Sequence, residues 1–256
     1  MSHLLPLVFL LGLVSLDATA VGQFMVSRPI VVGPLVGALM GDTGLGLALG
    51  ALCELIWMAD LPVGAHLPID LTLLAGVATA MAVELTHMNV GADAAITYSI
   101  CVVIPLAALA SEAENLMRKF NIRLVRGAQQ NVESGRLDRF EWINAIVLLA
   151  LFLKACLTAF LALQVAHAAI HLFAYLPAEV GVGMGYAPWF LMAVGCASAI
   201  DLLVDPRHLL PLFLSAAVSA TLILFLRVPA VYLLPASLFL GFLLSVARVK
   251  REEGRA

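Results

Sequence analysis

The stretch that decides the fold runs from Leu16 to Leu74 and reads LDATAVGQFMVSRPIVVGPLVGALMGDTGLGLALGALCELIWMADLPVGAHLPIDLTLL. It sets single polar residues into a strongly apolar, glycine-rich background. Glu54 stands in the run LALGALCELIWM, with no lysine or arginine within ten residues. A carboxylate in such a run would cost about 2.5–3.5 kcal/mol on insertion scales if it faced lipid. Glu54 is therefore a candidate for a functional site inside a membrane.

Composition places the whole chain among integral membrane proteins. Of its 256 residues, 62% are hydrophobic and 12% are charged, and the mean hydropathy is +1.04. A spanning helix needs about 20 apolar residues. Apolar runs lie near residues 4–26, 29–41, 43–59, 68–86, 92–111, 142–166, 187–205, 209–227 and 229–247. We predict an all-α, polytopic integral membrane protein that combines transmembrane helices with re-entrant or broken helical hairpins.

Two of these runs, 29–41 and 43–59, are too short to cross a bilayer alone and meet at Gly41-Asp42. Backbone without helical hydrogen bonds is tolerated at membrane depth only where protein or a water-filled cavity covers it. Transporters build their binding sites from such interrupted helices. The break therefore predicts a transport site.

The first run resembles a secretory signal peptide, because small residues at Ala18 and Ala20 follow an apolar core. Its start carries no lysine or arginine, and Asp17 stands where a cleavage region should be neutral. We therefore expect residues 4–26 to form a retained first helix with a polar interruption.

The distribution of cations predicts the topology. Of the 14 Lys and Arg residues, six lie in the hydrophilic segment 112–141 and four in the tail 248–256. By the positive-inside rule both face the cytoplasm. We predict an N-terminal membrane region over 1–111 that carries the substrate-site candidates, a cytoplasmic amphipathic helical segment over 112–141, membrane helices over 142–247 and a cytoplasmic basic tail over 248–256.

Glycines recur every four residues, first at Gly33, Gly37 and Gly41 and then at Gly46 and Gly50. Helical residues four apart share a face, and small residues on that face let helices approach closely in lipid. Packing alone accounts for Gly33 and Gly37. Beside the second set we expect a groove that leads to the carboxylate of Glu54 and is open to a small polar ligand.

The remaining polar residues of the stretch have structural interpretations as well. Asp42 lies where an aspartate caps the first free N–H groups of a following helix. Asp70 either caps a helix in the same way or contacts a ligand. Arg28 is the one cation before residue 118, so its partner is Asp17, Asp42 or Glu54.

The sequence predicts no catalytic residue, metal or cofactor. His167 and His171 have the i, i+4 spacing of a metal pair, but no third ligand follows at suitable spacing, so we interpret them as interfacial anchors. Neither a GxSxG nucleophile elbow nor an HExxH zinc motif is present. Nothing in the sequence indicates binding to nucleic acid.

A series of short motifs holds its spacing over more than fifty residues. The motifs are Leu16-Asp17, Gln23-Phe24, Ser27-Arg28-Pro29, Leu35-Val36-Gly37, Gly41-Asp42, Gly46, Gly50, Glu54, Gly64-Ala65 and Asp70. With this combination the chain resembles the enzyme IIC membrane subunit of the mannose-family phosphoenolpyruvate-dependent sugar phosphotransferase system. The similarity continues more weakly through Trp142 and the stretch from Gly195 to Pro211.

The resemblance implies a permease that binds a hexose or an amino sugar and moves it across the bacterial cytoplasmic membrane. A soluble IIB partner would phosphorylate the sugar, because this chain has no phosphoacceptor domain of its own. The implied partners are a IID membrane subunit, soluble IIA and IIB proteins and the lipid bilayer, with homo-oligomers of IIC–IID pairs.

At the residue level, we expect the sugar to be bound by Glu54, Asp70, Gln23 and Asp17. We expect structural or charge-pairing roles for Arg28, Asp42, Gly37, Gly41, Gly46 and Gly50. Two other classes stay open: a proton-coupled secondary transporter in which intramembrane carboxylates relay protons, and a divergent regulatory IIC-like membrane protein.

Overall fold

The computed structural model describes residues 3–58, 60, 68–133 and 140–203. These residues form helices joined by short connections, and no strand occurs among them. The helices are α1 (Leu4–Thr19), α2 (Pro29–Met40), α3 (Thr43–Ile56), α4 (Leu71–His87), α5 (Ala92–Glu133), α6 (Phe140–Phe173) and α7 (Ala178–Leu203). The predicted fold class is confirmed.

The helices fall into two length classes. Within the described residues, three segments are long and apolar enough to cross a membrane: Ala92–Arg126, Ala145–Phe173 and Ala178–Ile200. The four helices α1 to α4 are apolar but have only 12–17 residues each. The short helices pack together with the long ones, which cover backbone that lipid could not satisfy.

The α2–α3 hairpin forms because its residues stop one helix and start the next. Pro29 occupies the first position of α2, where its missing N–H costs no hydrogen bond. Gly41 ends α2 in the left-handed conformation, with φ of 96°. Asp42 then caps α3, since its Oδ1 accepts a hydrogen bond from the Leu45 N–H at 2.9 Å. The predicted break and the predicted cap are both confirmed.

Helix α4 forms the centre of the core. Its residues from Thr72 to Val83 are all buried, and it contacts α1, α2, α3, α5 and α6. Asp70 caps it, accepting a hydrogen bond from the Leu73 N–H at 3.0 Å. The Thr72 hydroxyl donates to the Ser27 carbonyl at 3.0 Å, which ties the start of α4 to the connection before α2.

One predicted boundary is wrong, and two helices extend beyond the apolar runs of the sequence. The first helix ends at Thr19 instead of residue 26, because hydrogen bonds to the Asp17 carboxylate hold the chain in a loop beyond it. Helix α5 runs from Ala92 to Glu133, through the end of the apolar run 92–111 and into the segment 112–141. Helix α7 begins at Ala178, before the apolar run that starts near residue 187.

The chain divides into two compact units at Cys196. The first unit contains α1 to α6, most of α7 and all the contacts discussed below. The predicted helices over 209–227 and 229–247 and the basic tail over 248–256 lie outside the described residues.

Candidate functional site

The glycines of the α2–α3 hairpin pack the two backbones against each other. A Cβ on Gly46 would overlap the Gly33 carbonyl oxygen, and a Cβ on Gly50 would overlap the carbonyl oxygen of Pro29. The face of α3 that carries Gly46 and Gly50 is therefore filled by α2. The predicted ligand groove on this face is wrong, because two glycine-lined helices exclude everything between them.

Glu54 pairs with Arg28 across the open end of the hairpin. Arg28 Nη1 lies 3.3 Å from Glu54 Oε1, and the side chains are 39% and 19% exposed. Of the three partners that the sequence allowed for Arg28, the structure selects this one. The second carboxylate oxygen, Glu54 Oε2, is buried and has no hydrogen-bond partner among the described residues.

Asp17 organises the connection between α1 and α2. Its Oδ1 accepts a hydrogen bond from the Phe24 N–H at 2.7 Å, and its Oδ2 accepts one from the Ser27 N–H at 3.2 Å. Within this loop Gln23 and Met25 have left-handed φ values of 53° and 65°. Such conformations cost about 1–3 kcal/mol each and persist only where surrounding contacts impose them. The Asp17 carboxylate is thus engaged by the loop that positions Arg28.

A cavity of about 280 Å³ opens where α2 and α4 begin and α1 ends. Its size is close to the lower end of small-molecule sites, about 300–1,000 Å³. The polar residues that line it are Ser15, Thr19, Ser27, Arg28, Asp60, Asp70, Thr72, Ser111, Glu114, Arg118 and Lys154. Because α2 and α4 start at this cavity, the positive ends of two helix dipoles lie beside it.

A second charged group lies on the α5–α6 side of the cavity. Lys154 Nζ is 2.8 Å from Glu114 Oε2, with the side chains only 11% and 20% exposed. Arg118 Nε lies 3.9 Å from the other oxygen of Glu114. The Ser111 hydroxyl donates to the carbonyls of Pro68 and Ala107, both at 3.1 Å.

The structure brings only some of the predicted sugar-binding residues together. Asp70 lines the cavity, and Glu54 is linked to it through Arg28. The Asp17 carboxylate faces the loop, while its neighbours Leu16 and Ala18 line the cavity. Gln23 is exposed and is absent from the cavity wall.

Sequence reasoning missed Glu114 and Lys154. The signal for Lys154 was present, since it is the one cation in the apolar run 142–166. Glu114 gave no such signal, because it stands in a stretch with several other charges. Only the fold places its carboxylate against a lysine 40 residues away.

A separate cavity of about 240 Å³ lies beside the C-terminal half of α4, lined by Glu84, His87, Gln164 and His167 among others. His167 Nδ1 is 3.3 Å from Glu84 Oε1, and the His167 ring packs edge-on against His171 with centroids 5.5 Å apart. Among the described residues no group of three metal-ligating side chains could hold a metal ion. The role of the two histidines as interfacial anchors stays a prediction.

The fold and the 280 Å³ cavity define a class of protein. It is a helical, polytopic membrane protein with a charged cavity beside a broken helix pair. The model of the family of PTS system sorbose-specific IIC components matches residues 3–244. The chain belongs to this family, so the predicted resemblance is confirmed.

Relatives and solved structures agree with that assignment. The mannose-specific EIIC component of the PTS system of Escherichia coli K12 is 24% identical over 216 residues, covering 84% of this chain and 78% of the relative. The sorbose-specific EIIC component of Lacticaseibacillus casei is 23% identical, covering 81% and 73%. A cryo-EM structure of the mannose transporter ManYZ with microcin E492 has the same fold, with a TM-score of 0.56, 21% identity and coverage of 98% and 96%.

Proposed function

We propose that this chain is the sugar-translocating IIC subunit of a mannose-type phosphotransferase system. It binds a hexose or an amino sugar and moves it across the bacterial cytoplasmic membrane, where a IIB partner phosphorylates it. Family membership supports the transport role, and the names of the mannose- and sorbose-specific relatives support a monosaccharide. The cavity at the start of α2 and α4 is of suitable size for one such molecule.

The observation that carries the proposal is the unpartnered oxygen of Glu54. A buried carboxylate oxygen without a hydrogen bond is costly, and Glu54 Oε2 is in that state in the described part of the chain. A carboxylate accepts hydrogen bonds from two adjacent hydroxyls, and such charge-assisted bonds are about twice as strong as neutral ones. Hexoses carry that vicinal pair. Arg28 joins this carboxylate to the cavity that Asp70 lines.

The cationic extension of α5 supports an orientation for the cavity. Arg118, Lys119, Arg123 and Arg126 follow the apolar part of α5, and Arg118 lines the cavity itself. By the positive-inside rule this end of the bundle faces the cytoplasm. The cavity therefore opens toward the side on which a soluble IIB protein would receive the sugar.

The proposed partners are a IID membrane subunit and soluble IIA and IIB proteins, with oligomers of IIC–IID pairs. The glycine faces of α2 and α3 do not support this assembly, because they are buried against each other within one chain. The support comes from the family and from the fold shared with the ManYZ transporter.

Sugar binding to the purified IIC–IID complex tests the proposal. Replacing Glu54 by Gln keeps the shape and removes the charge, so the hexose Kd should weaken by about 1.5–3 kcal/mol, which is more than tenfold. Trp57, one turn beyond Glu54 at the end of α3, gives a fluorescence signal for the titration.

The matched control is Glu84→Gln, which removes another membrane carboxylate, one that pairs with His167 beside the second cavity and not with Arg28. It should leave the hexose Kd unchanged. If Glu54→Gln lowers Tm but leaves the Kd unchanged, the carboxylate serves only to pair with Arg28. Uptake that needs a proton gradient and no IIB protein would instead indicate the proton-coupled class.

A further inference from the structure

Lys154 occupies a place where an apolar residue would be expected, and the Glu114 carboxylate lies against its ammonium group. Lys154 lies within the segment Ala145–Phe173, which is apolar enough to cross a membrane. A lysine at the centre of such a helix costs about 2.5–3.5 kcal/mol on insertion scales. The attraction within a buried ion pair often only offsets the free energy of desolvating its two charges, so the pair is often no more stabilising than apolar residues of the same volume. The pair is therefore better explained by a ligand than by stability.

The geometry gives the ammonium group spare hydrogen-bonding capacity. Lysine has three N–H donors, and Lys154 donates one of them to Glu114, at 2.8 Å. Glu114 also faces Arg118 at 3.9 Å, so its carboxylate is held between two cations of the same wall. Lys154 also lines the 280 Å³ cavity, so a ligand held there can accept a hydrogen bond from its ammonium group.

Asp70 supplies an acceptor that faces this donor. Asp70 and Lys154 line the same cavity, and a small crevice is lined by both Asp70 and Ala155, the residue after Lys154. The start of α4 and this turn of α6 therefore face each other. A sugar hydroxyl donates one hydrogen bond and accepts two. A single hydroxyl can therefore donate to a carboxylate on one wall and accept from an ammonium group on the facing wall.

We propose that Lys154 is a sugar-contacting, specificity-determining residue of this cavity and that Glu114 positions its ammonium group. The inference rests on the proposed function and deepens it, because it specifies the substrate class as a monosaccharide with a free hydroxyl at the ring position that Lys154 meets. An analogue without that hydroxyl leaves one N–H donor of the ammonium group without an acceptor, so the site discriminates against it.

The test compares the Kd values of a hexose and its set of monodeoxy analogues for the purified IIC–IID complex. Lys154→Met keeps the length of the side chain and removes its charge. It should weaken hexose binding about tenfold or more and abolish discrimination against one deoxy analogue while leaving the others disfavoured. The matched control is Lys119→Met, which changes an exposed lysine of α5 outside the cavity and should alter neither value.

A variant in which Lys154 and Glu114 exchange charges distinguishes a role in sugar recognition from a purely structural role. The double variant Lys154→Glu with Glu114→Lys keeps an ion pair between α5 and α6, so Tm should recover relative to Lys154→Met. Hexose affinity and deoxy discrimination should not recover, because the ammonium group now projects from a different helix. Recovery of both would identify the pair as a structural clamp and overturn the proposal.

The remaining outcomes are equally decisive. If Lys154→Met does not fold, Lys154→Arg keeps the charge and moves the donors, so deoxy discrimination should change while Tm is retained; unchanged discrimination overturns the inference. Wild-type discrimination in Lys154→Met also overturns it, whereas the proposed function survives. If the wild-type complex binds no hexose or amino sugar at all, the proposed function fails and this inference fails with it.

Discussion

At the residue scale, the carboxylates of the N-terminal half have different structural roles, although they lie in similar apolar stretches of sequence. Asp42 and Asp70 each accept a hydrogen bond from a helix N–H three residues later. Asp17 accepts hydrogen bonds from a loop, and Glu54 pairs with Arg28 through one oxygen only. What distinguishes Glu54 is therefore its unused oxygen and not its burial alone.

Asp17 offers a prediction at this scale. Asp17→Ala should lower Tm and make the loop over residues 20–28 severalfold more sensitive to protease, because the N–H groups of Phe24 and Ser27 lose their acceptor. Limited proteolysis in detergent, followed by mass spectrometry, locates the cut. Ser27→Ala is the control, since it removes only the long hydroxyl contact of 3.4 Å. A loop that stays resistant in Asp17→Ala would contradict this role.

At the element scale, the hairpin of α2 and α3 forms one closely packed unit. Gly33, Gly46 and Gly50 bring the two backbones into direct contact. Helix association in lipid depends on this kind of close packing, because the hydrophobic effect between helices is absent there. The hairpin therefore fixes Arg28, which precedes α2, against Glu54 near the end of α3.

Alanine substitutions in α3 test that unit. Gly46→Ala should destabilise the protein by about 1–3 kcal/mol, since the added methyl group overlaps the Gly33 carbonyl and overpacking carries that cost. Gly44→Ala should be neutral, because its Cβ would meet only Asp42 Oδ1, at 3.5 Å. Thermal unfolding of both variants in the same detergent gives the comparison. Equal Tm values for the two would show that the hairpin opens freely.

At the scale of the whole molecule, the orientation in the membrane decides to which side the cavity opens. Helix α5 extends from its apolar part at Ala92 through four cations to Glu133. The cavity lies at the same end of the bundle as that extension, because Ser111, Glu114 and Arg118 line it. The side on which α5 emerges is therefore also the side to which the cavity opens.

Cysteine labelling tests this orientation. In a version without the four native cysteines, a cysteine at Gln130 should react with a membrane-impermeant maleimide only in inverted vesicles, because the positive-inside rule places it in the cytoplasm. A cysteine at Met88, exposed in the turn at the other end of α5, should react in intact cells. Labelling of the Gln130 position from outside would reverse the topology.

The sequence by itself determined the features that depend on composition and on near neighbours. Membrane insertion follows from the apolar composition, the break follows from Gly41, and the cap of α3 follows from Asp42, since a cap needs only the N–H groups of the next turn. The tertiary structure alone decided which distant side chains meet. It selected Glu54 as the partner of Arg28, filled the face of Gly46 and Gly50 with the backbone of α2, and left Gln23 outside the cavity. It also joined Glu114 to Lys154, because the packing of α5 against α6 depends on the whole set of helices and not on any local pattern.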